Sequence, residues 1–496
     1  MIPLAAAALS AALYAAALPP WSVDVLAPVA LVPLLLALRG RRALAAALLG
    51  LVFALTFAIA TVWWLPGMLV HFFAVSTPRA IAGALAVYLL VAGLPFALFA
   101  IGAARLLAGS RRLAYAGVPA LWVGAELIRA DAFTGLPWEL LGHALFRRLA
   151  LIQVAEITGV YGLSFLCAWT ALAVADVVRP LGGAGRRAAL ATLGLAGLVW
   201  TALAGYGAWR LDALAAPARS MPVALVQANR APARQTSLLR RTETFDAYLS
   251  LTRSLGARRP DLIVWPENTA SFYLDRDAMP LAALERLTVG TDSVVLVGGP
   301  RQDDATGALH NAAYAVGTHG VLGRYDKRHL VPFAEYAPFD LRAWSAPDAT
   351  FAAGTEASVV PHPRGSLGVL ICYEILHPDL ARDLVRHGAR LLVNISNDGW
   401  AAPTAALQTF SMAVFRAVET RRWVVRAATT GISGAIAPTG QVGPTLANDT
   451  AGVLPVDVAP LDSLTPYVRV GDLFAWSCAL AALAALAGTR APRVLA

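Results

Sequence analysis

Seven apolar stretches occupy the first 206 residues of this chain, at 2–18, 23–38, 43–65, 80–102, 113–128, 160–178 and 188–206, and an eighth closes it at 473–488. Several approach the ~20 residues that a helix needs to cross hydrocarbon; the shorter ones, rich in alanine and flanked by proline or arginine, fall near the lower limit. Composition agrees. Hydrophobic residues make up 58% of the chain and charged residues 14%, and mean hydropathy is +0.61, too apolar for an ordinary soluble chain of 496 residues. The expectation is a polytopic α-helical membrane protein of about eight spans. Seven helices would lie in 1–209 and one transmembrane helix in 472–490.

Arginine placement gives the orientation, because short basic loops stay in the cytoplasm. Arg39, Arg41 and Arg42 follow the second stretch, Arg105, Arg111 and Arg112 the fourth, Arg179, Arg186 and Arg187 the sixth, and Arg490 and Arg493 the eighth. Both termini are therefore expected to be cytoplasmic and the long segment before the last span outside, which for an inner-membrane protein of a Gram-negative cell means the periplasm. Arg129, Arg147 and Arg148 run against this pattern but are outnumbered. A cleaved signal peptide at 2–17 is disfavoured, since the charged n-region is missing and further spans follow.

Residues 216–468 interrupt the apolar pattern and read as one α/β domain. Apolar β-type runs occur at 223–226, 262–265, 294–297, 367–371, 391–395 and 423–425. Helical patterns at 236–255, 378–387 and 405–421 lie between several of them, as expected of strands covered by helices. About 250 residues is ample for one core. Gly298-Gly299-Pro300 reads as a turn. Spacing alone leaves several α/β folds open.

Two of the β-type runs end in reactive groups. Leu262-Ile263-Val264-Trp265-Pro266-Glu267 stops at a proline and a carboxylate, and Leu367-Gly368-Val369-Leu370-Ile371-Cys372 stops at a cysteine. A third group is conspicuous by composition. Among 40 basic residues there is one lysine, Lys327, and arginine cannot imitate its compact three-donor ammonium. A thiol is a poor nucleophile until deprotonated, so Cys372 needs a base and a cation. Glu267 can take the proton, Lys327 can stabilise thiolate and oxyanion, and Cys372 can carry an acyl group as a thioester. Cys167 and Cys478 fall inside apolar stretches and read as small buried hydrophobes.

The order Glu, Lys, Cys, in the settings Trp265-Pro266-Glu267, Asp326-Lys327-Arg328-His329-Leu330-Val331-Pro332-Phe333 and Ile371-Cys372-Tyr373-Glu374, resembles the nitrilase superfamily and, more narrowly, its membrane-embedded branch, the bacterial apolipoprotein N-acyltransferases. The likeness covers essentially the whole chain. It implies that the α/β domain is a nitrilase-type αββα sandwich and that the catalytic groups are Glu267, Lys327 and Cys372. It further implies an acyltransferase that moves a fatty acyl chain from a phospholipid donor to the α-amine of a diacylated apolipoprotein, as the last step of lipoprotein maturation. No cofactor is implied, and the chain is expected to act as a monomer in the lipid bilayer.

The same likeness places a supporting carboxylate at Glu335, against a solvated loop acid, and a pocket residue at Asn311, against a structural turn. The Tyr373 backbone N–H is a candidate oxyanion donor and Glu374 a candidate for orienting Lys327, against a surface acid. Ser396 and Trp400, in Ser396-Asn397-Asp398-Gly399-Trp400, either shape the pocket or form a turn. The chain departs from the family pattern at 230–241, which lacks an expected tryptophan, and around 401–409. These departures bear on how headgroup and acceptor are gripped. The apolar loops 69–75 and 136–146, expected on the periplasmic side, are candidates to shelter a thioester.

Metal sites are not expected, because the eight histidines are scattered and read as surface or loop residues rather than ligands. No phosphate-binding glycine motif is present, and the net charge of +9 suits anionic headgroups better than nucleic acid. Two other classes compete. A membrane-tethered nitrilase-type amidase hydrolysing a C–N bond would use the same three groups. A transporter would need charges deep in its spans, yet the acids there, Asp24, Glu126 and Asp176, lie near span ends.

Overall fold

A computed structural model describes residues 1–489 except 74, 180–181, 215–219, 231–236, 257, 290–292, 343–349 and 400–401, and the side chains of residues 72 and 73. The chain divides into two compact units. One comprises Met1–Pro66, Pro78–Ala213 and the chain from Val470, and the other Gly67–Thr77 and Leu214–Arg469.

The first unit is helical. Among the described residues three helices, Ala43–Val62, Thr77–Ala108 and Gly183–Ala213, are long and apolar enough to cross a membrane, and a fourth span results if the pair Leu149–Thr158 and Tyr161–Val177, bent by 116°, counts as one. Ile2–Ala17 and Leu473–Ala487 are shorter apolar helices, and Arg111–Asp131 is a helix of 21 residues. The stretch expected as one span at 23–38 is instead a 3-10 turn, Asp24–Val29, followed by a seven-residue helix, Val32–Leu38. Pro28 and Pro33 account for the break, because each removes a backbone donor from the ladder.

Helix Ala43–Val62 meets the Thr77–Ala108 helix at Gly50, where a Cβ would lie 2.5 Å from the Phe96 carbonyl oxygen, so close backbone approach replaces side-chain packing. Beside that contact Tyr14, Phe53, Phe57, Phe96 and Trp122 form an aromatic core, with Tyr14 stacked on Phe57 at 4.4 Å. Three carboxylates in this unit are held by arginines. Asp24 pairs with Arg148 at 2.7 Å, Glu156 with Arg210 at 2.6 Å, and Asp176 with Arg39. Residues Leu140 to Phe146, in the segment proposed as a shelter, are buried within this unit, with the Leu141 N–H donating to Glu126 at 2.7 Å.

The second unit holds two sheets. Strands β1 (Met221–Gln227), β2 (Leu262–Val264), β3 (Val294–Gln302), β4 (Leu309–Gly317) and β5 (Gly320–Asp326) belong to one, and β6 (Leu367–Ile371), β7 (Leu391–Ser396), β8 (Val424–Ala428), β9 (Ser433–Ile436) and β10 (Val442–Leu446) to the other. The last strand, β11 (Gly452–Val458), returns to the first sheet, whose order is β11-β1-β2-β3-β4-β5; the second runs β10-β9-β8-β7-β6. Parallel pairs β1–β2–β3 and β6–β7–β8 form the two centres.

β1 lies against β8 and β9, while helices Leu238–Arg253 and Ala278–Thr288 cover the first sheet and Pro378–Arg386 and Pro403–Thr420 the second, giving an αββα sandwich. Strands β6 and β7 are buried at every residue, which is why they read as continuous apolar runs. Helix Leu238–Arg253 starts at Ser237, whose hydroxyl accepts from the Arg240 N–H, and buries Phe245, Tyr248, Leu249 and Thr252 at helical spacing.

Gly298-Gly299-Pro300 is not a turn but part of β3. A Cβ on Gly298 would sit 2.7 Å from the Glu267 Cα, and one on Gly299 2.5 Å from the Ala270 carbonyl oxygen. The glycines let β3 pass directly under the carboxylate-bearing loop. The histidines are also less exposed than their scatter suggested: His143, His310, His362 and His377 are buried, His143 accepting from the Leu140 N–H, His362 hydrogen-bonded to the Asp261 carbonyl, and His377 stacked on His329 at 3.7 Å.

Candidate active site

Three chain segments that end strands converge. β2 ends in Trp265-Pro266-Glu267, with Trp265 fully buried and its indole N–H donating to the Thr252 hydroxyl at 2.9 Å, so the loop carrying Glu267 starts from a fixed point. β5 ends at Asp326, and the Lys327 N–H donates to the Asn311 carbonyl at 2.8 Å on neighbouring β4. β6 ends at Ile371, and Cys372 turns the chain with φ of +55°, a left-handed conformation costly for a residue with a Cβ. A 3-10 turn, Cys372–Leu376, follows.

Lys327 is 1% exposed. Its Nζ lies 3.3 Å from Glu267 Oε1 and 2.9 Å from Glu335 Oε2. Asn311 Nδ2 donates to Glu267 at 2.7 Å and to Glu335 at 2.8 Å, bridging the two carboxylates. Backbone donors complete the cage: the Asn397 N–H reaches Glu267 Oε2 at 2.9 Å and the Val331 N–H reaches Glu335 Oε2 at 2.7 Å. Glu335 is therefore no solvated loop acid, and Asn311 lies in β4 rather than in a turn.

Glu374 differs from its expected role. It is fully buried, not a surface acid, and no hydrogen bond joins it to the Lys327 ammonium among the described residues. Its Oε1 instead accepts from the Tyr325 hydroxyl at 2.9 Å and from the Arg328 and His329 N–H groups at 2.7 and 3.0 Å, and its Oε2 from the Ile371 N–H at 2.7 Å. One carboxylate thus ties the backbone after Lys327 to the backbone before Cys372. Burial raises Glu374 to about 7 against the opposing pull of these N–H donors and Lys327.

Cys372 is buried, with Glu267, Lys327 and Asp398 the charged groups acting on it and Ser396 a side-chain hydrogen-bond partner. Burial first, then the Glu267 charge, push its thiol up to about 12 despite Lys327. Burial alone would depress the Lys327 ammonium, but Glu267 and Glu335 outweigh it and hold that group above the ordinary lysine range. The lysine charge is thus shared by two carboxylates, and the resting sulfur is a thiol. Deprotonation has to accompany attack, which a carboxylate base beside the thiol allows.

Tyr373 is half-buried and packs beside His377 at 4.9 Å and His329 at 5.6 Å between ring centres. Ser396 closes β7, buried, and donates to Asp398 at 2.6 Å. Trp400 lies outside the described residues. Sequence reasoning missed Asn397, whose backbone serves Glu267, and Arg426, which is fully buried in β8. An arginine inside an apolar β run was the available signal for the second; a backbone donor leaves none.

The αββα sandwich that brings Glu267, Lys327 and Cys372 to three strand ends is the fold of the nitrilase, or carbon-nitrogen hydrolase, superfamily. Residues 222–463 match the family model described as carbon-nitrogen hydrolase, and residues 10–173 match that of the apolipoprotein N-acyltransferase N-terminal domain. A protein of Geobacter metallireducens called apolipoprotein N-acyltransferase is 37% identical over 386 residues, covering 75% of this chain and 74% of that one. Proteins of the same name from Allorhizobium ampelinum and Bradyrhizobium diazoefficiens are 33% and 32% identical, covering 79% and 84% of this chain and 76% and 80% of theirs. The chain belongs to the apolipoprotein N-acyltransferase family.

Proposed function

We propose that this protein transfers a fatty acyl chain from a phospholipid, through a thioester on Cys372, to the N-terminal α-amine of the diacylglyceryl-cysteine of apolipoproteins. The observation that carries the reading is the buried Lys327 held between Glu267 and Glu335 beside Cys372, on a chain whose other unit is built of apolar helices. Glu267 takes the thiol proton as sulfur attacks the donor ester, and the oxyanion is held by Lys327 and backbone N–H groups, that of Tyr373 among them. Glu267 hands that proton to the departing ester oxygen as lysophospholipid leaves. The lipoprotein α-amine then attacks the thioester, Glu267 accepts its proton, and an amide forms while the thiol returns, a ping-pong sequence.

In this reading Glu335 and Asn311 hold Lys327 and Glu267, Glu374 fixes the turn at Cys372, and Ser396 and Trp400 shape the pocket. Residues 1–209 and 472–490 form a membrane domain of about eight spans, with both termini cytoplasmic and 216–468 in the periplasm. Substrates that remain in the bilayer suit such an enzyme, since their acyl chains would leave it at a cost of ~0.8 kcal/mol per CH₂. One chain carries all the reacting groups, as a monomer requires.

Intact mass of the purified protein in phospholipid, beside Cys372→Ala, tests this. The expected result is an added fatty-acyl mass, absent from the variant and discharged by a diacylated lipopeptide. An adduct discharged by water alone, or none, overturns it.

A further inference from the structure

Arg426 is fully buried in the middle of β8, in register with Asn394 on β7. A guanidinium in such a place depends on its partners; the two terminal nitrogens are shared out between two of them, while Nε has none among the described residues. Nη1 donates to the Asn394 side-chain oxygen, and Nη2 to both Asp398 oxygens, at 2.8 and 2.6 Å. Each partner leads to the sulfur. Asn394 Nδ2 donates to the Leu370 carbonyl at 2.8 Å and to the Cys372 carbonyl at 3.3 Å, so it spans the strand end where Cys372 takes its left-handed conformation. Asp398 accepts from the Ser396 hydroxyl, the side-chain partner of the Cys372 thiol. Asp398 occupies space that a glycine leaves: its Oδ2 lies 1.8 Å from where a Cβ on Gly431 would be.

We infer that Arg426 is a positioning residue for the acyl-transfer site, which fixes the Cys372 turn through Asn394 and cancels the Asp398 charge that faces the thiol. The charged groups acting on Cys372 are Glu267 from the loop after β2, Lys327 from the end of β5 and Asp398 from the loop after β7. Lys327 is engaged by two carboxylates, so without Arg426 a further uncompensated anion would oppose formation of the sulfur anion. The inference rests on Cys372 being the nucleophile but concerns its reactivity, which can be read without any lipid substrate.

The test is alkylation of the full-length protein in detergent by iodoacetamide, followed against pH by peptide mass at Cys372. Burial holds the thiol above the accessible range, so the rate and not a midpoint is read: between about pH 7 and about pH 9 Arg426→Gln is expected to slow alkylation about tenfold, the equivalent in thiolate fraction of about one pH unit. Asp398→Asn should speed alkylation, Arg426→Lys should fall between wild type and Arg426→Gln because an ammonium can neutralise Asp398 but cannot also hold Asn394, and the double variant Asp398→Asn/Arg426→Gln should return toward wild type. Opposite rate changes in the two single variants cannot come from general loosening. A change of both in one direction, or an Arg426→Gln profile coinciding with wild type, overturns the inference. If Arg426→Gln does not fold, the direction of the Asp398→Asn rate change decides. Loss of the acyl adduct in Cys372→Ala is a separate readout, so failure here leaves the proposed reaction standing.

Discussion

Charges are buried in both units, but to different ends. In the helical unit Asp24, Glu156 and Asp176 each face at least one arginine, and Asp176 draws Arg39, Arg111 and Arg179. In the α/β unit two carboxylates, Glu267 and Glu335, share one ammonium next to a neutral thiol. The first arrangement has cations to spare and needs no proton to move. The second is one positive charge short, and a proton passing from Cys372 to Glu267 leaves its total charge unchanged while moving the negative charge onto sulfur. Balanced pairs hold helices together; an unbalanced cluster stores a transferable proton.

Exchanging the ammonium for a bulkier cation should break that contrast most severely. Lys327→Arg keeps the charge but cannot fit a guanidinium where Nζ meets two carboxylates, and turnover of a lipopeptide acceptor should fall about a thousandfold. A loss under tenfold would show that charge alone suffices. Glu335→Gln keeps the shape and removes one of the competing anions. Misplacement of Lys327 should reduce kcat about ten- to a hundredfold, with the melting temperature nearly unchanged, as calorimetry in detergent would report.

The converse experiment lies in the helical unit. Asp176→Asn should leave kcat within about threefold of wild type but lower stability by about 2 kcal/mol, because it strands neighbouring arginines. A large activity loss at unchanged stability would erase the distinction between the units. The smallest effect is a slope. Burial raises Glu374 from its ordinary 4.5 to about 7, so the folded chain binds the more protons between those values. Its contribution to stability is present at low pH and is lost as pH rises from about 5 to about 7. Glu374→Gln should flatten this part of the melting temperature against pH; an unchanged slope would reject the assignment.

Glu267 and Cys372 were legible because each ends a short apolar run, and such runs survive as sequence signals; Lys327 was legible as the one lysine among 40 basic residues. Glu374 was legible as a residue but not in its contacts, since its four donors come from two chain segments, three of them from residues 325–329, far away in sequence. The partition of Gly298-Gly299-Pro300 failed because glycine needed for close backbone approach looks, locally, like glycine needed for a turn. β4, β5 and β9 to β11 escaped notice: β4 is buried but rich in alanine and carries His310 and Asn311 near its start, and the others are short or half-exposed. The stretch at 23–38 had enough apolar length, but two prolines outweighed it.

The protonated state of Cys372 has a bearing on how long the protein lasts. Peroxides and disulfides consume thiolates, so a sulfur held at about 12 is almost inert to them between catalytic cycles. An electrophilic carbonyl seated beside Glu267 escapes that protection, because the carboxylate removes the proton during attack itself. The burial that makes Cys372 a reluctant nucleophile in isolation thus gives it corrosion resistance, and durability and reactivity are separated by the arrival of substrate.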